Sequence, residues 1–156
     1  METIATLTAR FAQSGSVTWI GLRPARRADL QPVETAWIAE AGLDGDHRAT
    51  PGKRAVTLIQ AEHLPVIAAL AGRESLTPAL LRRNIAVSGI NLLGMRNRAF
   101  RIGEAVLEVS GLCAPCSRME ALLGPGGYTA MRGHGGITAS VIAPGQIALS
   151  DTVVPV

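Results

Sequence analysis

The chain holds two cysteines, Cys113 and Cys116, and both fall in one stretch, VSGLCAPCSRMEALLG, over 109–124. Their C-x-x-C spacing admits four chemistries: a dithiol that cycles to a disulfide, half of a zinc site, a reactive or metal-ligating thiolate beside a bystander, or two small apolar residues in a core. A zinc site needs four ligands, and His47, His63 and His134 are scattered without the short His-to-His spacing of such sites. A thioredoxin-like dithiol belongs after the first strand of a βαβ unit, whereas this pair comes late in a β-rich chain. The arguments for a thiolate converge on Cys116. Ser117 and Glu120 stand three apart, as a capping box requires, and Gly124 sits where a C′ glycine would close a short helix. With Ser117 as N-cap, Cys116 lies just outside the positive end of that helix. Arg118 adds a cation and Pro115 stiffens the approach. A soft thiolate there suits a soft metal centre. Spacing alone leaves all four readings open.

Three further groups could share a site with the thiol. Asp44, Asp46, His47 and Arg48 crowd the glycine-rich loop GLDGDHRATPGK (42–53), and Arg54 follows it. Arg82, Arg83 and Asn84 form a second group, at the end of an expected helix. Arg132, Gly133, His134, Gly135 and Gly136 form a basic turn whose backbone could approach an anion. Each also has a plain structural explanation: a solvated loop, cations at a helix C-terminus, an ordinary turn. Fourteen of the fifteen basic residues are Arg, with Lys53 the single lysine. Coding bias accounts for much of that excess, but a guanidinium also forks two donors onto phosphate or carboxylate. Nucleic acid is not the expected partner, because the aromatic platforms such binders use are scarce: Phe11, Trp19, Trp37, Phe100 and Tyr128. No P-loop, GxSxG, H-E-x-x-H or paired-carboxylate motif is present.

The elements that must position these residues are mostly strands. A length of 156 residues suits one domain, taken as 1–156, and 17 glycines with 9 prolines make it rich in turns. SVTWIGL (16–22) and VETAWIAEA (33–41) read as a strand pair around an Arg-laden loop, and RAVTLIQ (54–60) as a strand. AEHLPVIAALAG (61–72) reads as a helix, and LTPALLRRN as a second one with Thr77 as N-cap and Pro78 at the first helical position. IAVSGI (85–90) is a strand, and AFRIGEAVLEVSG (99–111) is two strands bent at Gly103 with Ala105, Leu107 and Val109 on one face. GGITASVIAPGQIALSDTVV (135–154) closes as two strands around Pro144-Gly145. This pattern predicts a mainly β (α+β) fold, a curled sheet or barrel with a few short peripheral helices. The N-terminal residues are broken by polar side chains, so neither signal peptide nor membrane span is expected, and two cysteines are too few for a secreted disulfide framework. The expected location is cytoplasmic.

The order of AGLDGDHRA, KRAVTLIQAEHL, LLRRNIAVSGINL, FRIGEAVLEVSGLCAPCSRME and GHGGITASVIAPGQIALSDTVV resembles MOSC domains, over roughly 17–154. These are the C-terminal modules of molybdenum cofactor sulfurases and of molybdenum proteins that reduce N-hydroxylated compounds. The resemblance implies a β-barrel-like fold that binds molybdenum cofactor (molybdopterin) or carries sulfur toward it. The family's key cysteine falls on Cys116, as catalytic residue and molybdenum ligand. Its R-x-N match falls on Arg82 and Asn84. Its G-D-R segment reads GDHR here, which brings Asp46, His47 and Arg48 to the cofactor, together with Arg54 and Arg132. The implied partner is a flavin or haem electron donor, or a sulfur-transfer protein if Cys116 carries a persulfide. Pyridoxal phosphate is not expected in a lone domain of this kind.

Overall fold

A computed structural model describes residues 1–47 and 50–156. In chain order the elements are α1 (Ile4–Thr8), β1 (Gly15–Leu22), β2 (Gln31–Pro32), β3 (Thr35–Ala39), β4 (Gly42–Leu43), β5 (Val56–Gln60), α2 (His63–Leu70) and β6 (Ile85–Ser88). A 3₁₀ turn at Leu92–Met95 leads to β7 (Ala99–Ile102), β8 (Ala105–Leu112), α3 (Ser117–Leu123), α4 (Gly127–Met131), β9 (Ile137–Ala143), β10 (Gly145–Ala148) and β11 (Thr152–Pro155).

Seven strands close into a barrel in the order β11-β7-β8-β9-β5-β6-β1, with β1 pairing back onto β11. Gly15 faces Val153 across the closing seam. Closure leaves no unpaired edge to manage along those strands. The neighbours are antiparallel except β5 and β6, which run parallel and are joined by the crossover that carries α2. A small sheet, β10-β3-β4, packs on the same core.

Alternation builds the barrel interior. Ala105, Leu107 and Val109 of β8 point inward with Phe100 and Ile102 of β7, Ile137 and Ala139 of β9, and Leu58 of β5. β5 is buried along its whole length, because helices cover its outer face, as is usual for parallel strands. That cover is a second apolar cluster. Ile59 and Ala86 on the outside of the barrel meet Ile67 of α2, Leu81, Met119 and Leu123 of α3, and Met131. The cluster matters for the site, because Leu81 immediately precedes the arginine pair and α3 immediately follows Cys116.

Four details differ from the sequence expectations. β1 and β3 are not partners; β1 pairs with β2, β6 and β11, while β3 pairs with β10 and β4. The closing segment makes three strands, not two. Residues 77–84 form turns and no helix. Thr77 Oγ1 accepts from the Leu80 amide, but Arg82 takes a left-handed backbone (φ 61°) and the chain enters β6 three residues later. Ser117 is the first helical residue, and Cys116 itself is the N-cap, without a side-chain cap bond.

Candidate functional site

Cys116 and Arg82–Arg83 come together because their flanks share one cluster. Met119 and Leu123 seat α3 in the outer core beside Leu81. Where β8 ends, its last pairs with β9 shift register between Val109 and Gly111, and the Cys113 amide then donates to the Gly136 carbonyl. Such a shift re-aims the residues that follow it. Ala114 and Pro115 then lead to Cys116, whose side chain is exposed, while Cys113 is buried.

These segments enclose a cavity of about 170 Å³ lined by Arg23, Arg54, Arg82, Arg83 and Arg118, together with Cys113 and Cys116. Arg23, Arg82 and Arg118 also line a broader cleft of about 520 Å³, which adds Arg26, Arg27 and His47. The mouth of the barrel is therefore a funnel of guanidinium groups with an exposed thiol on its inner part.

The arginines are held differently. Arg23 is anchored by a carboxylate: its backbone amide donates to Asp46 Oδ1 at 2.7 Å and its Nη2 lies 3.3 Å from Asp46 Oδ2. Arg82 donates through Nη1 to the Ala28 carbonyl at 3.1 Å. Arg83 is 6 % exposed and commits three of its five N–H donors to carbonyls: Nε to Gly135 at 2.7 Å, Nη1 to Leu81 at 2.9 Å and Nη2 to Cys113 at 3.4 Å. Burial pushes the Arg83 guanidinium below its usual range, the thiols of Cys113 and Cys116 oppose that, and the cations Arg54 and Arg23 add to it. Burial likewise lowers Arg82, with Arg118 and Arg23 pressing the same way and Asp29 and Asp46 against. Desolvated cations crowding one another are stabilised by an arriving anion, and several guanidinium forks suit a phosphate.

Of the residues singled out from sequence, Cys116, Arg54 and Arg82 line the inner cavity and His47 the outer cleft. Asp46 orients Arg23. Arg48 lies outside the described residues. Asn84 does not line the cavity. It is buried and ties three strands at the mouth: Nδ2 donates to the Gly21 carbonyl at 3.1 Å, and Oδ1 accepts from Thr57 Oγ1 at 3.2 Å. Arg132 lines a different cavity, across Cys113 and Ala114. Gly135 and Gly136 approach the chain's own backbone closely; a Cβ on either would collide with the Cys113 or the Leu58 carbonyl oxygen. Arg83, grouped from sequence with Arg82 and Asn84, also lines the inner cavity, and Arg23 is the addition that sequence reasoning missed. Glu120, expected to close a capping box, instead accepts from the Gly126 and Tyr128 amides and so pins the start of α4. Among the described residues no three His, Cys, Asp or Glu side chains gather as a metal site. No helix there is long and apolar enough to cross a membrane.

A family model described as MOSC domain matches residues 43–154. The YuaD protein of Bacillus subtilis has a similar structure, with a TM-score of 0.81 at 17 % identity, over 92 % of this chain and 97 % of that one. YiiM from Escherichia coli superposes with a TM-score of 0.72 at 23 % identity, over 90 % of this chain and 69 % of that one. YiiM from Geobacillus stearothermophilus gives 0.75 at 19 %, over 91 % and 75 %. At these identities the likeness is one of fold. A comparison with curated proteins finds no match.

Proposed function

As the chain belongs to the MOSC domain family, whose association is with molybdenum cofactor, we propose that its arginine-lined cavity binds that cofactor and that the protein reduces N-hydroxylated compounds there. The observation that carries this reading is the meeting of five arginines and an exposed thiol in one cavity of about 170 Å³. Arg23, Arg54, Arg82, Arg83 and Arg118 would hold the phosphate and the oxygens of the pterin. Asp46 would keep Arg23 aimed inward, and the arginines whose donors are bonded to carbonyls would need little reorganisation on binding. Cys116 would supply a thiolate ligand to molybdenum, a soft donor on the exposed side of the cavity. The bound group supplies the redox chemistry, in which R–NHOH takes up two electrons and two protons and becomes R–NH₂ and water, the electrons coming from a flavin or haem protein. The chain's own part is to bind, orient and shield.

Purification from a host that makes the cofactor tests this directly. Molybdenum and pterin are expected near one per chain in the wild type, with Arg82→Glu and Arg118→Glu losing most of both. Cys116→Ser is expected to lose molybdenum and activity. Wild-type protein free of metal and pterin under those conditions overturns the reading.

The exposure of Cys116 favours one second reading, a sulfur carrier. A partner's persulfide would pass its outer sulfur to the Cys116 thiolate, leaving the partner as thiolate and Cys116 as persulfide. Mass spectrometry of gently purified protein would find 32 Da added on Cys116 and none on Cys113 (the mass of one sulfur atom, about 32 Da).

A further inference from the structure

Beside the arginine cavity lies a second one, of about 280 Å³, and the two share Cys113 and Ala114 as a common wall. Its character is the opposite. Leu93 from the 3₁₀ turn, Leu112 from the end of β8, Pro115 and Tyr128 on α4 form its apolar sides. Leu93, Leu112 and Tyr128 are 40 %, 52 % and 40 % exposed, so three large apolar side chains from separate elements face solvent around one concavity. Scattered exposed leucines need no explanation, but apolar side chains converging on a cavity mark a binding site. Gly133, Gly135 and Gly136 line the rest and leave the space open. The single charged side chain of the lining is Arg132, at the end of α4.

We propose that this cavity holds the organic body of the substrate: a flat, mostly apolar, aromatic-sized group bearing a carboxylate or carbonyl that Arg132 binds. Its reacting end would reach past Ala114 to the Cys116 side. The inference rests on the reading of the arginine cavity as the reaction site, and it adds a division of labour. The arginine cavity takes the multiply charged anion, and the Leu93–Leu112–Tyr128 cavity selects what is reduced. Volume, lining and adjacency fit together. The space is at the small end of ligand pockets, which suits one or two fused rings. Its lining offers an aromatic face and two leucines, and one cation gives orientation. Arg132, which the family resemblance gives to the cofactor, thereby becomes a specificity residue for substrate.

The test uses the full chain without cofactor, labelled for NMR on its backbone amides, its leucine methyls and Tyr128, the one tyrosine. The probes are 4-carboxybenzohydroxamic acid, benzohydroxamic acid and inorganic phosphate. Both hydroxamates should shift Leu93, Leu112 and Tyr128 signals, whereas phosphate should shift the Arg23 and Arg118 amides. Arg132→Ala should weaken the carboxylated probe about tenfold, the loss of one charge-assisted contact, and the bare probe less than twofold. Leu112→Asp should abolish both; because Leu112 is half exposed, this variant should fold, and Tyr128→Ala serves as a second check. None of the three changes should alter phosphate binding, or the molybdenum and pterin content of protein from a cofactor-producing host. Hydroxamate shifts confined to the arginine cleft, or affinity unmoved by either substitution, overturn the proposal and leave the cofactor reading standing. Shifts at Leu93 and Leu112 on concentration alone, without probe, would mean a second copy of the chain covers this face, and would also overturn it. Wild-type protein that binds the hydroxamates as described but carries no molybdenum or pterin defeats the cofactor reading, and the assignment of the bound group as substrate falls with it.

Discussion

Cys113 and Cys116 are separated by Ala114 and Pro115, yet their surroundings divide their roles. Cys113 is 4 % exposed, its amide is bonded to Gly136, and its carbonyl receives Arg83. Cys116 is exposed among Arg82, Arg83 and Arg118. Iodoacetamide near neutral pH should therefore label Cys116 well before Cys113, on access alone. Cys113→Ser should keep most of the bound metal and cost about 1 kcal/mol of stability, a typical value for a small buried change. Equal labelling of both thiols, with both serine variants losing metal alike, would mean that the pair works as a dithiol. Arg83 makes the companion case. Arg83→Leu would strip the Gly135, Leu81 and Cys113 carbonyls of their donor, and leaving such acceptors buried costs about 1–3 kcal/mol. Urea midpoints should fall accordingly, and phosphate affinity with them.

At the scale of elements, the site is a junction of segments brought in from distant parts of the chain. The turn before β9 packs on the end of β8 so closely that Gly135 admits no Cβ. Gly135→Ala should push the turn off Cys113, move the carbonyl that Arg83 binds, and destabilise by about 3 kcal/mol, a loss of about 10 °C in Tm. A calorimetric Tm within 2 °C of wild type (the lower end of the ~2–4 °C per kcal/mol scale) would show that the turn can relax. The same junction explains what the sequence could reveal. The alternation of Ala105, Leu107 and Val109 announces β8, because a half-buried strand needs it locally. Which strand lies beside which is a long-range matter. Besides the short β2, β1 finds its partners in the barrel, β6 and β11, far along the chain, so its expected pairing with β3 rests on sequence proximity alone. The helix expected at 77–84 has good starting signals, but Leu81 must reach the outer core and β6 must begin at Ile85, and tertiary packing outweighs propensity there. Cys116, Arg54 and Arg82 were legible as a group through the family's motif order. Arg83 is legible as a neighbour of Arg82 but its burial is not, since that depends on a glycine turn some fifty residues downstream. Arg23 is not legible as a site residue, since its aim is set by Asp46 across a loop.

For the whole molecule, the helices cover an apolar cluster on the outside of the barrel, and one contact within that cover titrates. His63 at the start of α2 meets His134, just after α4, edge to face at 4.9 Å between ring centres. His134 Nδ1 is buried and has no hydrogen-bond partner among the described residues. Burial lowers the His63 pKa below its ordinary 6.5, His134 adds to that, and Glu62 opposes it. The sign follows from linkage. The unfolded chain takes up the His63 proton at a higher pH than the folded one, so the full stability of this contact is present above pH 6.5 and declines as pH falls below it. A second decline belongs to carboxylates. Glu62 is held below 4.5 despite its burial, by the Gln60 side chain and the Gly89 amide. Glu120 is held below 4.5 by the Tyr128 and Gly126 amides. Their contribution is present above pH 4.5 and is lost below it. Acid should therefore loosen the molecule in two stages, the histidine stage first. Melting temperatures from pH 8 down to pH 3 should show both stages, and His63→Gln should flatten the upper one while leaving the lower. If His63→Gln and wild type trace parallel curves between pH 7.5 and 5.5, the histidine pair does not fasten the cover, and the apolar cluster of Ile67, Met119 and Met131 holds it unaided.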